Sequence, residues 1–162
     1  MATAEFLKEC MADALLNLML KKDFSKIKVD EIAAMAGVHR STWFRNFSSK
    51  SDALTYKIVQ LWARWAEDQG LASMYTVENA LDFFRFCHEN RRLLLIICRA
   101  GLQPVLYDAF YQVILPQERT DAADGYRGRF YAYGLFGFLN EWIKRGFRET
   151  PEELNEMFQE IL

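Results

Sequence analysis

Apolar residues recur every three or four positions along almost the whole chain, and no stretch alternates convincingly in twos. A repeat near 3.6 lines side chains along one stripe of a helix, whereas a half-buried strand needs a period of two. The expected fold class is therefore all-α. Composition supports this: Leu and Ala together number 36 against 20 for Val, Ile and Thr, and only 3 of 162 residues are proline, a balance that favours helix over sheet. Hydrophobic residues make up 51% and charged residues 26%, enough to build a core and keep it in water. The longest apolar run of note, Leu93 to Cys98, has six residues, far short of the ~20 that a membrane span requires. The N-terminal stretch has no apolar h-region, so no signal peptide is expected.

The periodicity places a first helix at about Ala4–Leu20, with Phe6, Cys10, Leu15, Leu18 and Met19 on its apolar side. A short second helix follows at Val29–Ala36, with Ile32, Ala33 and Ala36 inward. Its first turn carries Asp30 and Glu31, where carboxylates favour the positive end of the helix dipole. Gly37 stands where a left-handed cap residue is wanted. A third helix spans about Arg40–Phe47. Ser49 caps a fourth, with Asp52 placed to reach back to it in a capping box. That helix runs to about Gln69 on a stripe of Leu54, Ile58, Leu61, Trp62 and Trp65. Further helices are expected at about Val77–Ala100 and Val105–Leu115, the latter with Pro104 in its first turn. Residues 116–125 are polar and read as a loop. A long helix at about Tyr126–Arg145 is stopped by Gly146. The last opens on Thr150-Pro151-Glu152-Glu153, with a capping threonine, proline at the first helical position and a glutamate that closes the box.

Catalytic and metal chemistry find little support in the residues. The three cysteines, Cys10, Cys87 and Cys98, are widely spaced and form no CxxC pair, so buried reduced thiols are expected rather than a zinc site or disulfide framework. His39 and His88 are the only histidines, and no GxSxG, HExxH, GxGxxG or P-loop pattern occurs. An enzyme reading, a metal site and a bound cofactor are therefore not expected.

The segment from Phe24 to Leu54 carries the strongest signal. Two short helices flank a tight Ala36-Gly37-Val38 turn, with small residues where the helices must approach closely. That is the layout of a helix-turn-helix, whose second helix enters the major groove. The net charge of the chain is −2, yet residues 21–50 carry seven basic side chains against three acidic ones, a local +4, while residues 51–162 sum to −4. Positive charge thus sits on the expected reading head, as phosphate contact requires.

The run Ile27-Lys28-Val29-Asp30-Glu31-Ile32-Ala33-Ala34-Met35-Ala36-Gly37-Val38, with Ser41-Thr42-Trp43-Phe44-Arg45-Asn46-Phe47 and Ser49-Lys50, closely resembles the DNA-binding domain of TetR (tetracycline-repressor) family transcriptional regulators. The resemblance covers roughly residues 8–56. It implies a three-helix reading head over residues 1–48, and over residues 49–162 a helical domain that dimerises and often binds an effector. It implies a cytoplasmic bacterial protein. Residues 131–147 and 150–154 are similar to a subgroup that includes regulators of dihydroxyacetone-kinase operons, some of which activate with a protein co-regulator. Two positions depart from the family pattern. His39 stands where a small hydroxyl residue usually caps the recognition helix, and is expected to cap less well. Phe44 replaces a tyrosine whose hydroxyl commonly meets the DNA backbone; a phenyl ring can still press on a sugar or thymine methyl.

Geometry and resemblance together assign the DNA-binding residues. Arg40 opens the recognition helix, within reach of guanine O6 and N7. Ser41 is small enough for close approach to a base edge. Thr42, Arg45, Asn46 and Lys28 are phosphate candidates, His39 faces solvent or phosphate, and Phe44 is as above. Lys50, at a helix N-terminus, is expected to bind phosphate beside free N–H groups. Trp43 and Phe47 are expected to lock the helix onto the head. His88 is expected at the surface or at a pocket rim.

The remainder is rich in aromatic residues. Such a stripe is more often core than ligand box, but several tyrosines need polar partners if buried, and Arg99 could pair with an anionic effector. The candidate effector pocket comprises Trp62, Trp65, Phe84, Cys87, Arg99, Tyr107, Phe110, Tyr111 and Tyr133. Gly134 and Gly137 weaken the long helix by about 1 kcal/mol each, which a close helix–helix approach would offset. The expected dimer face, a four-helix bundle across a twofold axis, comprises Tyr133, Gly134, Gly137, Phe138, Glu141, Trp142, Leu154 and Phe158. The sum is a regulator that binds a palindromic operator as a dimer, under control of a small-molecule effector or, alternatively, of a protein co-regulator.

Overall fold

The computed structural model describes residues 3–71, 80–114 and 121–162. These form nine α-helices and one 3₁₀ turn, with no strand among the described residues: α1 (Ala4–Met19), the turn Phe24–Lys26, α2 (Val29–Ala36), α3 (Arg40–Asn46), α4 (Lys50–Asp68), α5 (Ala80–Glu89), α6 (Arg91–Arg99), α7 (Gln103–Ile114), α8 (Ala122–Lys144) and α9 (Pro151–Ile161). Two compact units result. None of the described helices is long and apolar enough to cross a membrane.

The first unit comprises residues 1–61 and 96–109. Helices α1, α2 and α3 pack together around Met11, Leu15, Ile32, Trp43 and Phe47, all buried. Leu15 and Leu18 are buried on α1 as expected, but Met11, Ala12 and Ala14 join them inside, Phe6 is 56% exposed, and Cys10 and Met19 are half-buried. Alanines make this possible, because their small side chains let a neighbouring helix settle onto them. Side-chain contacts hold α4 to α1. The Tyr56 hydroxyl donates to Glu5 Oε2 at 2.6 Å, and Lys57 pairs with Asp13 at 2.6 Å. Ser49 caps α4 as expected, accepting from the Asp52 N–H at 3.0 Å. The Asp52 carboxylate, however, reaches Ser48, accepting from its N–H and its hydroxyl at 3.1 Å each, one residue further back than a standard capping box.

The second unit comprises residues 62–95 and 110–162. Here α5 packs against α8 and α9, and the core is aromatic: Trp62, Trp65, Phe83, Phe84, Phe86, Phe110, Phe136, Trp142 and Phe158 are buried. Two expected boundaries are corrected. The single helix expected to Ala100 breaks at Asn90 into α5 and α6. Side chains take carbonyls of the last α5 turn there: the Asn90 amide donates to Phe86 O at 2.9 Å, and Arg91 Nη1 to His88 O at 2.8 Å. The expected start of this helix at Val77, and the end of the next at Leu115, lie outside the described residues. The long helix begins at Ala122, not Tyr126, because the Asp121 side chain accepts from the Asp124 N–H at 2.8 Å and caps it. Residues 122–125, expected as loop, are its first turn; residues 116–120 lie outside the described residues. Thr150, Pro151 and Glu153 form the expected cap of α9.

Candidate nucleic-acid interface

Helix α2 ends where Gly37 turns left-handed, with φ of 69°. A residue with Cβ resists that conformation. The Val38 N–H returns to the Ala33 carbonyl at 3.0 Å, satisfying an end of α2 and redirecting the chain into α3. His39 then caps α3 through its ring. Its Nδ1 accepts from the Ser41 N–H at 3.3 Å and lies 2.9 Å from the Ser41 hydroxyl, so the imidazole takes the role a small hydroxyl side chain usually fills. Acceptance requires the unprotonated nitrogen at Nδ1.

On α3, the buried positions are Trp43 and, at its end, Phe47, with ring centroids 5.2 Å apart. They fix the helix on the head, leaving Arg40, Ser41, Phe44 and Arg45 exposed on the opposite side. Thr42 and Asn46 are half-buried, and the Asn46 amide donates to the Thr42 carbonyl at 2.7 Å. Arg40 Nε lies 2.9 Å from Asp30 Oδ1 on α2, and its guanidinium carbon is 5.2 Å from the centre of the Phe44 ring. Sequence reasoning gave Asp30 only a helix-dipole role. Pairing between residues ten positions apart on two helices has no local signature.

Lys28, exposed, precedes α2 and donates its backbone N–H to Glu31 at 2.9 Å. Lys22 reaches the same carboxylate at 2.6 Å. The Lys22 ammonium first, then the Lys28 N–H, hold the Glu31 carboxyl below the usual carboxylate range. Lys50 has an unexpected environment. Its ammonium donates to the carbonyls of Phe24 and of Ile27, the latter at 2.9 Å, and sits 4.4 Å from the Phe24 ring centre. Desolvation pulls its pKa below the ordinary lysine value. The side chain thus ties the start of α4 to the turn after α1, and one of its three donors is left over.

The candidate effector residues fall into separate places. Trp62, Trp65, Phe84, Cys87 and Phe110 are buried. Trp62 closes on Trp65 and Phe86 with centroids 5.3 and 4.8 Å apart, and burial pushes the Cys87 thiol well above its usual pKa. Tyr111 is half-buried, its ring 5.9 Å from that of the exposed Tyr133. Tyr107 is half-buried and, like Arg99, belongs to the first unit. Arg99 lines a cleft of about 630 Å³ with Met19, Leu20, Lys21 and Phe24. His88, expected at a surface or rim, is half-buried and stacked on Trp142, centroids 5.8 Å apart at 20°.

Seven of the eight candidate dimer residues line one groove of about 830 Å³ between α8 and α9: Tyr133, Gly134, Gly137, Phe138, Glu141, Trp142 and Leu154. Phe158 lies beneath, buried against Phe138 at 5.0 Å. A Cβ on Gly134 would stand 3.5 Å from Phe158, whereas one on Gly137 would meet nothing within 4 Å. The first glycine therefore faces its own α9, and the second faces open space. Sequence reasoning missed Tyr126 and Phe130, 78% and 76% exposed, and Met157 and Ile161, which line the groove. The signal was available: Tyr126, Phe130 and Tyr133 are spaced four and three, on the stripe that continues to Gly137.

A family model described as a transcriptional regulator C-terminal region, TetR_C_8, matches residues 77–162, 86 of the 162 in the chain. No curated protein matches.

Proposed function

The chain belongs to the TetR family of transcriptional regulators, and from that premise we propose that it binds a palindromic DNA operator as a homodimer through α3. The observation that carries this reading is the outward face of α3. Arg40, Ser41, Phe44 and Arg45 are exposed there while Trp43 and Phe47 are buried, so the helix offers long donors, a small residue and an apolar ring to a groove edge. Arg40 and Phe44 supply base contacts; Ser41 approaches closely; Lys28, His39, Thr42, Arg45 and Asn46 meet the backbone. Lys50 gives its remaining donor to a phosphate. The groove between α8 and α9 takes the same groove of a second copy, with Gly137 providing room for the approaching helix. Dimerisation sets two α3 helices one or more DNA turns apart, which matches a palindrome.

Control by a small-molecule effector is the first reading of the second unit. The packing of Trp62, Trp65 and Phe86 against one another favours a second one. Those rings are spent on the core, and a protein co-regulator, as in the dihydroxyacetone-kinase regulators that residues 131–147 and 150–154 resemble, would act from outside it. Selection of bound duplexes from a random library by the full-length protein tests the main reading. Enrichment of an inverted repeat is expected. Failure to enrich any sequence, or enrichment of a single asymmetric half-site, would overturn it.

A further inference from the structure

We infer that Asp30 is a positioning residue for Arg40, so that base preference in the operator depends on a carboxylate that touches no base. The inference rests on the reading of α3 as the groove-entering helix. Arg40 is the first residue of α3 and Asp30 the second of α2, and Gly37 sets the angle between them. The contact is made through Nε, 2.9 Å from Asp30 Oδ1. That leaves all four Nη hydrogens for a partner, and two parallel N–H donors are what guanine O6 and N7 accept. The Phe44 ring, 5.2 Å from the guanidinium carbon, supplies a second constraint. The carboxylate biases where the guanidinium sits, and the ring limits how its plane turns.

Both partners are well exposed, at 62% for Arg40 and 69% for Asp30. A pair this wet adds little to folding, so its value lies in arranging the donors before DNA arrives. A flexible arginine can follow any phosphate or base edge, while one held at Nε presents the same fork each time. Asp30 also puts a negative charge on the surface that faces DNA. It opposes indiscriminate phosphate binding while Arg40 is paired with it, and this raises discrimination at the expense of overall affinity.

The test uses the full-length protein and reads ratios between sequences, which do not depend on the folded fraction of a preparation. The operator is first selected with the wild type, and then wild type, Asp30→Asn, Asp30→Glu, Arg40→Ala and the Asp30→Asn/Arg40→Ala double variant are measured on that operator, its single-base variants and random duplex. Asp30→Asn is expected to lower the ratio of operator to random affinity roughly tenfold. It should flatten preference at the same symmetric base pair as Arg40→Ala, and bind random duplex more tightly than wild type. Asp30→Glu should restore preference, and Asp30→Asn should add no flattening once Arg40 is gone. Intact base preference in Asp30→Asn, where Arg40→Ala destroys it, overturns this inference alone. A wild type that selects no sequence overturns the DNA reading and this inference with it.

Discussion

Helices α3 and α8 both hold aromatic rings out in water, but among different neighbours. On α3, Phe44 is 59% exposed beneath the Arg40 guanidinium, with Ser41 and Arg45 beside it. On α8, Tyr126, Phe130 and Tyr133 are 78%, 76% and 60% exposed, on a stripe that runs to Gly137 and into an apolar groove shared with Met157 and Ile161. An exposed ring costs free energy in either place. Beside charges it becomes part of a polar surface that exchanges water for phosphate and base edges. Along a groove lined by Gly134, Gly137, Met157 and Ile161, as for Tyr133, it gains most from another apolar surface. The neighbours, more than the rings, decide what each helix is for.

The largest effect expected is on the head. Trp43→Ala empties a site that is 1% exposed and should cost about 3–5 kcal/mol. Hydrogen exchange should show α2 and α3 opening while α8 stays protected, and DNA binding should vanish. Equal loss of protection in α8 would mean that the two helices share one cooperative unit.

Gly137→Leu probes the other side. Nothing within the protomer lies within 4 Å of the added Cβ, and replacing glycine favours the helix by up to about 1 kcal/mol. Overpacking across a dimer should instead cost about 1–3 kcal/mol per protomer. A monomeric mass by light scattering at micromolar concentration, an unchanged or raised folding stability of that monomer, and weaker operator binding are expected together. Gly134→Ala serves as the control: its Cβ makes an ordinary 3.5 Å contact with Phe158, and the dimer should survive.

Arg40→Ala and Lys50→Ala should differ in kind. Arg40→Ala loses about 1–3 kcal/mol per half-site on the operator and relaxes preference at one symmetric base pair. Lys50→Ala weakens operator and random DNA alike, with the salt slope shallower by about one per half-site. It also lowers folding stability by about 1 kcal/mol, because the carbonyls of Phe24 and Ile27 lose their donor. Retained base preference in Arg40→Ala, with altered preference in Lys50→Ala, would mean that α3 is not the helix in the groove.

The smallest effect is electrostatic. The Glu31 carboxyl is held below its usual range by Lys22 and the Lys28 N–H, so its folded pKa lies under its unfolded one. Its stabilisation is present at neutral pH and is lost as pH falls through and below the ordinary carboxylate range. Glu31→Gln should remove that part of the acid sensitivity of the head, seen as a flatter plot of unfolding midpoint against pH.

Features decided within a few residues were legible from the chain alone. The bounds of α2, the left-handed Gly37 and the Thr150-Pro151-Glu153 cap all follow from contacts between near neighbours, and the repeat of apolar residues fixed the all-α class. Burial of Trp43 and Phe47 was expected from helix geometry together with the family resemblance. Choices among distant partners were not legible. Lys50 could have faced water until two carbonyls 26 and 23 positions earlier in the chain claimed its ammonium. Phe158 belonged to an apolar stripe, but only packing against Phe84 and Phe138 made it core rather than surface. Periodicity says which residues share a side of a helix, and capping chemistry says where a helix stops. Neither says which of several compatible partners a long side chain meets, because that depends on where the other helices come to rest.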